Sequence, residues 1–142
     1  MRRGICMDEK RLIQKAIEAR VQSYSPYSGF AVGAALLCAD GTVVTGCNVE
    51  SASYSPTVCA ERVAFVKAVS EGKRDFAAIA IVGGKIDAAL DVCYPCGVCR
   101  QTMAEFCRED FRIVAAKSES EWEIVTLGEL LPRRFGPENL QV

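Results

Sequence analysis

An uninterrupted apolar segment, residues 76–82, restricts the possible folds of this chain more than any other feature, and Gly83 and Gly84 end it. A strand without polar alternation is typical of the centre of a sheet that is covered on both faces. Segments of helical character at 8–24, 58–69 and 95–106 can provide the covering layers. The sequence therefore predicts an α/β fold in which helices cover both faces of a sheet.

The remaining elements fit this arrangement. Further strands are predicted at 31–39, 42–49, 112–116 and 122–125, and a brief helix at 126–131. Asp40 and Gly41 separate the first two of these strands and predict a hairpin at one edge of the sheet. The helix at 58–69 has almost no polar face, so we expect it to be buried on several sides. No repeat or linker interrupts the chain, which predicts one domain over residues 1–142.

Composition excludes several kinds of chemistry. The chain has no histidine, which removes Ser-His-Asp and Cys-His catalysis and the histidine-based zinc proteases. Acid–base chemistry near neutral pH must then use a carboxylate, a lysine, a cysteine, a tyrosine or a water molecule on a metal ion. The formal net charge of -1 provides no basic excess, so we expect no extended binding to nucleic acid.

The 8 cysteines require an explanation. No apolar stretch follows the two N-terminal arginines, so no signal peptide is expected, and the longest apolar runs are too short to span a membrane. We therefore expect a cytoplasmic protein, in which clustered cysteines bind metal or perform chemistry more often than they form disulfides. We expect four of the cysteines to be small buried or incidental residues rather than ligands, namely Cys6, Cys38, Cys47 and Cys107.

Two segments carry the candidate chemistry, and each opens a predicted helix: 57–62, which contains Cys59, and 94–101, which contains Cys96 and Cys99. A helix N-terminus favours the thiolate form of cysteine. Cys96 and Cys99 have the spacing of a chelating pair, and Cys59 can supply a third thiolate where the two helix ends meet. Three protein ligands leave one tetrahedral position of Zn²⁺ open, as in catalytic sites.

Glu61 indicates how such a site would be used. A carboxylate beyond the end of the helix can take a proton from water and deliver it to a substrate nitrogen, because zinc lowers the pKa of bound water from about 15.7 to about 7. Arg62 lies three residues after Cys59, and Arg100 lies four after Cys96. We expect each arginine to donate hydrogen bonds to a thiolate and so to offset the negative charge of the site.

These segments resemble a known family. Cys59-Ala60-Glu61 followed by Pro95-Cys96-x-x-Cys99 is the zinc-deaminase signature in its three-cysteine form. The chain resembles the small, homotetrameric class of cytidine deaminases over nearly its whole length. The segments that carry the resemblance are Tyr24-Ser25-Pro26-Tyr27-Ser28, Val32-Gly33-Ala34-Ala35, Gly46-Cys47-Asn48-Val49-Glu50, Cys59-Ala60-Glu61-Arg62, Pro95-Cys96-Gly97-Val98-Cys99-Arg100-Gln101 and Leu130-Leu131-Pro132-Arg133-Arg134-Phe135-Gly136-Pro137.

The resemblance implies a three-layer α/β/α sandwich with a mixed, mostly five-stranded sheet, and hydrolytic deamination of cytidine and 2′-deoxycytidine as part of pyrimidine salvage. It implies one Zn²⁺ per subunit on Cys59, Cys96 and Cys99, with Glu61 as the proton shuttle. It implies substrate contacts from Phe30, Asn48, Glu50 and the Ala60 backbone, and Phe135 stacking in a neighbouring subunit's site of a homotetramer. Glu50 would repel a 5′-phosphate, which favours a nucleoside as the small-molecule partner over a nucleotide, nucleic acid or membrane.

Two alternatives stay open at this point. Cys93 could close a four-cysteine structural zinc site with Cys59, Cys96 and Cys99, which would make the chain a binding module. A deaminase of a cytosine nucleoside analogue, resembling blasticidin-S deaminase, would use the same zinc core. Two positions depart from the family pattern. Tyr94 replaces a small residue or proline and predicts a narrower rim, and Ala31 replaces a proline.

Overall fold

The computed structural model of the protein describes residues 8–140, so Cys6 lies outside the described residues. Its strands are β1 Phe30–Cys38, β2 Val43–Cys47, β3 Phe76–Lys85, β4 Arg112–Ser118 and β5 Glu121–Thr126. Its helices are α1 Glu9–Arg20, α2 Ala60–Ser70, α3 Gly97–Phe106 and the short α4 Leu127–Leu130, followed by a 3₁₀ turn at Pro137–Leu140. The strands form one five-stranded sheet in the order β2-β1-β3-β4-β5.

The sheet is mixed, as expected. β3 and β4 pair in parallel, whereas β1–β2, β1–β3 and β4–β5 pair antiparallel. The apolar strand β3 occupies the centre, and the predicted hairpin β1–β2 forms one edge. A second hairpin, β4–β5, forms the other edge. The parallel pair matters for function, because the crossover from β3 to β4 runs through α3. This crossover brings the N-terminus of α3 to one end of the sheet.

Helices cover both faces of the sheet and complete the three-layer α/β/α sandwich. On one face, Leu12, Ile13 and Ala16 of α1 pack against alternate residues of β1, β3 and β4. On the other face, α2 and α3 enclose a second core around the fully buried Phe65. Gly33 lets α1 approach closely, because a Cβ atom there would lie 2.0 Å from the backbone oxygen of Ala16.

Several boundaries differ from the predictions. Helix α1 ends at Arg20 rather than residue 24, because the backbone of Tyr24 pairs with the segment that follows β2. Strand β3 continues through the two glycines to Lys85, since they pair with the beginning of β1. Helices α2 and α3 begin two residues later than predicted, because Cys59 and Cys96 have extended backbones and serve as the N-caps.

Helix α2 is less buried in the single chain than its composition predicts. Its sheet-facing side is buried at Ala60, Ala64, Phe65 and Ala68. The opposite side is open, and the side chain of Val66 is 57% exposed. The expectation of burial on several sides is therefore wrong for the chain by itself. None of the helices in the described part of the chain combines the length and the apolar character that crossing a membrane requires.

Candidate active site

Three cysteine sulfurs meet where the N-termini of α2 and α3 converge. The Sγ atoms of Cys59 and Cys96 are 3.6 Å apart, and those of Cys96 and Cys99 are 3.5 Å apart. All three sulfurs lie within 4.8 Å of one another. A tetrahedral ion with sulfur ligands at about 2.3 Å holds those sulfurs about 3.8 Å apart. The thiol set therefore fits Zn²⁺, with its three members arranged around a common point.

Cys93 does not join this group. The metal-ligating cluster in residues 8–140 consists of Cys59, Cys96 and Cys99. Cys93 packs against Gly83, where its Sγ would lie 2.9 Å from an added Cβ, and burial raises its pKa to about 11. A closed four-cysteine site is therefore not formed. The cysteines predicted to be incidental that the structure describes, Cys38, Cys47 and Cys107, also lie outside the cluster.

Hydrogen bonds stabilise negative charge on Cys59. The Cys99 thiol and the Arg62 guanidinium lower the pKa of Cys59 to about 5, while the same sharing of a proton raises the pKa of Cys99. Arg62 Nη2 lies 3.6 Å from Cys59 Sγ and 3.4 Å from the Thr57 carbonyl oxygen. The contact predicted between Arg62 and a thiolate is thus present in the structure.

Arg100 is placed differently from the prediction. Its Nε donates to the carbonyl of Pro95 at 2.7 Å, and its Nη1 donates to the carbonyl of Leu130 at 2.9 Å. Among the described hydrogen bonds, none joins Arg100 to a cysteine sulfur, so the expected thiolate contact is wrong. The guanidinium turns toward the end of α4 instead and links α4 to the turn that carries Cys96.

Glu61 lies in the first turn of α2, next to the three sulfurs. Its side chain is only 4% exposed. Burial raises the pKa of Glu61 to about 7, and the neighbouring Cys59 thiolate acts in the same direction. A carboxyl group in this position can both accept and release a proton near neutral pH.

A cavity of about 290 Å³ opens onto Glu61 and the sulfurs. Its walls contain the predicted residues Phe30, Asn48 and Glu50, and also Cys59 and Cys96. Ala60 is fully buried at the beginning of α2, one residue from Cys59. Residues from three distant parts of the sequence thus surround one space of a size that suits a small organic molecule.

The polar side chains on the far side of this cavity are held by hydrogen bonds. Asn48 Oδ1 accepts from the Val32 backbone N–H at 2.9 Å and from the Ser23 hydroxyl, and Nδ2 donates to the Phe30 carbonyl at 2.8 Å. Within residues 8–140, these bonds leave the second Nδ2 hydrogen of Asn48 available to a ligand.

Glu50 is oriented in a similar way. One carboxylate oxygen accepts from the backbone N–H groups of Tyr27 and Ser28, at 3.0 and 3.1 Å, and the other accepts from the Ser28 hydroxyl. The Ser28 hydroxyl lowers the pKa of Glu50, which remains ionised.

The sequence predictions missed Ser23 and Ser28 as supports for Asn48 and Glu50. In the sequence, these two serines are marked only by the serine-rich composition of the loop at 23–28. Their role depends on contacts with residues more than twenty positions away.

Phe135 does not reach the cavity of its own chain. Its side chain is 59% exposed, and its carbonyl accepts a hydrogen bond from Gln101 of α3. Among the predicted substrate contacts, the structure therefore brings Phe30, Asn48 and Glu50 together and leaves Phe135 on the surface.

Comparisons with known proteins agree with this site. A family model described as the cytidine and deoxycytidylate deaminase zinc-binding region matches residues 7–115. The chain is 48% identical to a cytidine deaminase from Halalkalibacterium halodurans, over 94% of this chain and 98% of that protein. The crystal structure of a cytidine deaminase from Burkholderia pseudomallei superposes with a TM-score of 0.83 at 43% identity, covering 91% of this chain and 100% of that one. A blasticidin-S deaminase from Bacillus cereus is less similar, at 28% identity over 93% of this chain and 95% of that protein.

Proposed function

Because the chain belongs to the cytidine and deoxycytidylate deaminase family, we propose that it hydrolyses cytidine and 2′-deoxycytidine to the corresponding uridines and ammonia. The observation that carries this proposal is the meeting of three cysteine sulfurs and the buried Glu61 at one end of a single cavity. The higher identity to a cytidine deaminase than to the blasticidin-S deaminase favours an ordinary nucleoside as the substrate.

Cys59, Cys96 and Cys99 would hold the zinc ion. When bound, Zn²⁺ supplies a Lewis acid that allows a water molecule to ionise near neutral pH. Arg62 adds positive charge beside Cys59 through its hydrogen bond to Sγ. The two helix N-termini add partial positive charge in the same place. Together these groups offset the charge of the thiolates.

Glu61 would move the protons of the reaction. Its carboxylate would take a proton from the attacking water and deliver it to N3 of the base. It would then take the second proton from the new C4 hydroxyl and pass it to the amino group, which leaves as ammonia when the C4–N4 bond breaks. A pKa of about 7 suits both directions of transfer, because neither the acid nor the base form is strongly preferred at neutral pH.

Asn48, Glu50 and Phe30 would select a nucleoside. The ionised Glu50 can accept a hydrogen bond from a sugar hydroxyl, and the free Nδ2 hydrogen of Asn48 can donate to a sugar oxygen. A 5′-phosphate near Glu50 would be repelled, which favours nucleosides over nucleotides. Phe30 provides an apolar wall for the sugar and base, and the Ala60 backbone meets the base edge.

We further infer a single deaminase domain that assembles as a homotetramer with shared active sites, acts in pyrimidine salvage and resides in the cytoplasm. The exposed Phe135 and the open face of α2 at Val66 support assembly, because both leave apolar surface uncovered in the single chain. The thiol set must stay reduced to bind zinc, which favours a reducing compartment.

A spectrophotometric assay tests this function directly. The zinc-loaded protein is compared on cytidine, deoxycytidine, cytidine monophosphate and blasticidin S. We expect turnover of the two nucleosides, with much lower kcat/KM on the other two compounds. Preferred turnover of blasticidin S would support the analogue deaminase instead. Stoichiometric zinc without turnover of any of them would contradict a deaminase function.

A further inference from the structure

Tyr94 is one of the cavity residues to which the proposed mechanism assigns no role. It precedes the buried Pro95 and lines the cavity that contains Cys96 and Glu61. Its side chain is 41% exposed, and its hydroxyl donates a hydrogen bond to Glu123 of β5. The ring is therefore fixed at both ends, by Pro95 in the backbone and by Glu123 at the hydroxyl.

The sheet order shows which end of the cavity this ring borders. β2 and β5 form opposite edges of the sheet. Asn48 and Glu50 follow β2, so they line the cavity from that side. Tyr94 is tied to β5 and lines the cavity from the other side. A nucleoside whose sugar contacts Asn48 and Glu50 therefore has the ring of Tyr94 near the far edge of its base.

That edge carries the reacting amino group. Deamination requires the amino-bearing carbon to lie beside Glu61 and the cysteine sulfurs, and Tyr94 is separated from Cys96 by Pro95 alone. A substituent on the amino nitrogen would have to enter space that the fixed ring borders. A ring that could rotate out of this space would not restrict the size of the substituent. The contact with Glu123 therefore determines how strongly the ring restricts that size.

We propose that Tyr94, with Glu123 as its positioning residue, limits the size of substituents on the amino nitrogen of the base. This inference rests on the proposed deaminase function and adds a specificity-determining residue to it. Hydrolysis of a substrate with a substituted amino nitrogen is balanced in the same way as deamination. N4-methylcytidine and water give uridine and methylamine, with the C4–N4 bond broken and a C4–O bond formed.

The test compares kcat/KM for cytidine and N4-methylcytidine in the zinc-loaded wild type and in Tyr94→Ala, Tyr94→Phe and Glu123→Gln. We expect Tyr94→Ala to raise the efficiency on N4-methylcytidine relative to cytidine by about tenfold or more, the size of effect that one carbon has in a closely fitting pocket. Tyr94→Phe and Glu123→Gln should shift the ratio in the same direction by less. Glu121→Gln is the matched control, because Glu121 lies on the same strand and faces Lys117 at 3.9 Å.

The possible failures are distinguishable. A zinc-loaded wild type that does not deaminate cytidine would contradict the proposed function and this inference with it. Normal cytidine turnover with an unchanged substrate ratio in Tyr94→Ala would overturn the assignment of Tyr94 alone. A higher kcat/KM for 5-methylcytidine, but not for N4-methylcytidine, in Tyr94→Ala would overturn this assignment as well. That result would place the ring at a different edge of the base. If Tyr94→Ala does not fold, Tyr94→Phe and Glu123→Gln decide the question through the same ratio.

Discussion

At the scale of single residues, Glu61 combines two properties that rarely occur together. It is almost fully buried, yet it lies in the first turn of a helix, where its carboxylate faces the cavity and the cysteine sulfurs. Burial favours the protonated form, and the helix N-terminus favours the ionised form. The balance of these effects keeps the group able to exchange protons, which a surface carboxylate with an ordinary pKa does less well.

Replacement of Glu61 by Gln should separate catalysis from metal binding. The amide has nearly the same shape but cannot accept or deliver a proton, so we expect kcat to fall by about three orders of magnitude. The zinc content, measured by elemental analysis, should stay at the wild-type level, because Glu61 is not a member of the sulfur cluster. Near-normal kcat in this variant would remove Glu61 from the proton path.

The two roles of cysteine in the cavity can be tested in the same way. Cys93→Ser should retain zinc and most of the activity, because its thiol packs against Gly83 outside the cluster. Cys59→Ser is the matched comparison and should lose both, since it removes one of three ligands. Zinc titration with a chelating dye and the cytidine assay measure the two effects. Loss of zinc in Cys93→Ser would instead support the closed four-cysteine site, with Cys93 as a zinc ligand.

At the scale of elements, the loop at 23–29 acts as a support for the segment that follows β2. The Ser23 hydroxyl bonds Asn48, and the Ser28 hydroxyl bonds Glu50 and accepts from the Phe30 backbone N–H at 3.0 Å. A single loop thus orients three residues that line the cavity. These contacts are made before any ligand arrives, which reduces the cost of ordering the side chains on binding.

Ser28→Ala should weaken substrate binding without slowing the chemical step. The variant removes one hydrogen bond to a charged group, so we expect KM for cytidine to rise about tenfold. We expect kcat and zinc content to change little, because Glu61 and the sulfurs are not in contact with this loop in the described hydrogen bonds. Ser55→Ala, an exposed serine of the next loop, is the control. An equal fall in kcat would place Ser28 in the catalytic step instead.

The elements also show what a sequence can and cannot predict. Cys59, Glu61 and Cys96 were predictable because helix starts are local in sequence and the chemistry of a helix N-terminus is general. The direction of the Arg100 side chain could not be predicted, because it depends on Leu130. The fold brings Leu130 close from thirty positions away. The extension of β3 through Gly83 and Gly84 was missed for a similar reason: glycines usually end a strand, but here they pair with β1.

At the scale of the whole molecule, the single chain builds the metal site and most of the cavity but leaves Phe135 on its surface. Phe135 follows the segment Leu130–Arg134, which is tied to the chain through Arg100 and through a hydrogen bond from Arg134 to the Cys107 carbonyl at 3.2 Å. An exposed aromatic ring on a segment that is held in place is suited to insertion into a second chain. This placement agrees with the proposal that each active site is shared.

Hybrid assemblies provide a direct test of shared sites. Glu61→Gln lacks the proposed proton shuttle, and Phe135→Ala lacks the ring proposed to stack in a neighbouring site, so each variant alone should have low activity on cytidine. Co-expressed with different tags and purified through both, hybrids should recover a measurable fraction of wild-type activity, because a cavity with Glu61 then receives Phe135 from its neighbour. Glu61→Gln with Cys59→Ser is the control, since neither of these chains has an intact cavity. Hybrid activity no greater than that of the two separate variants would show that Phe135 does not act in a neighbouring site.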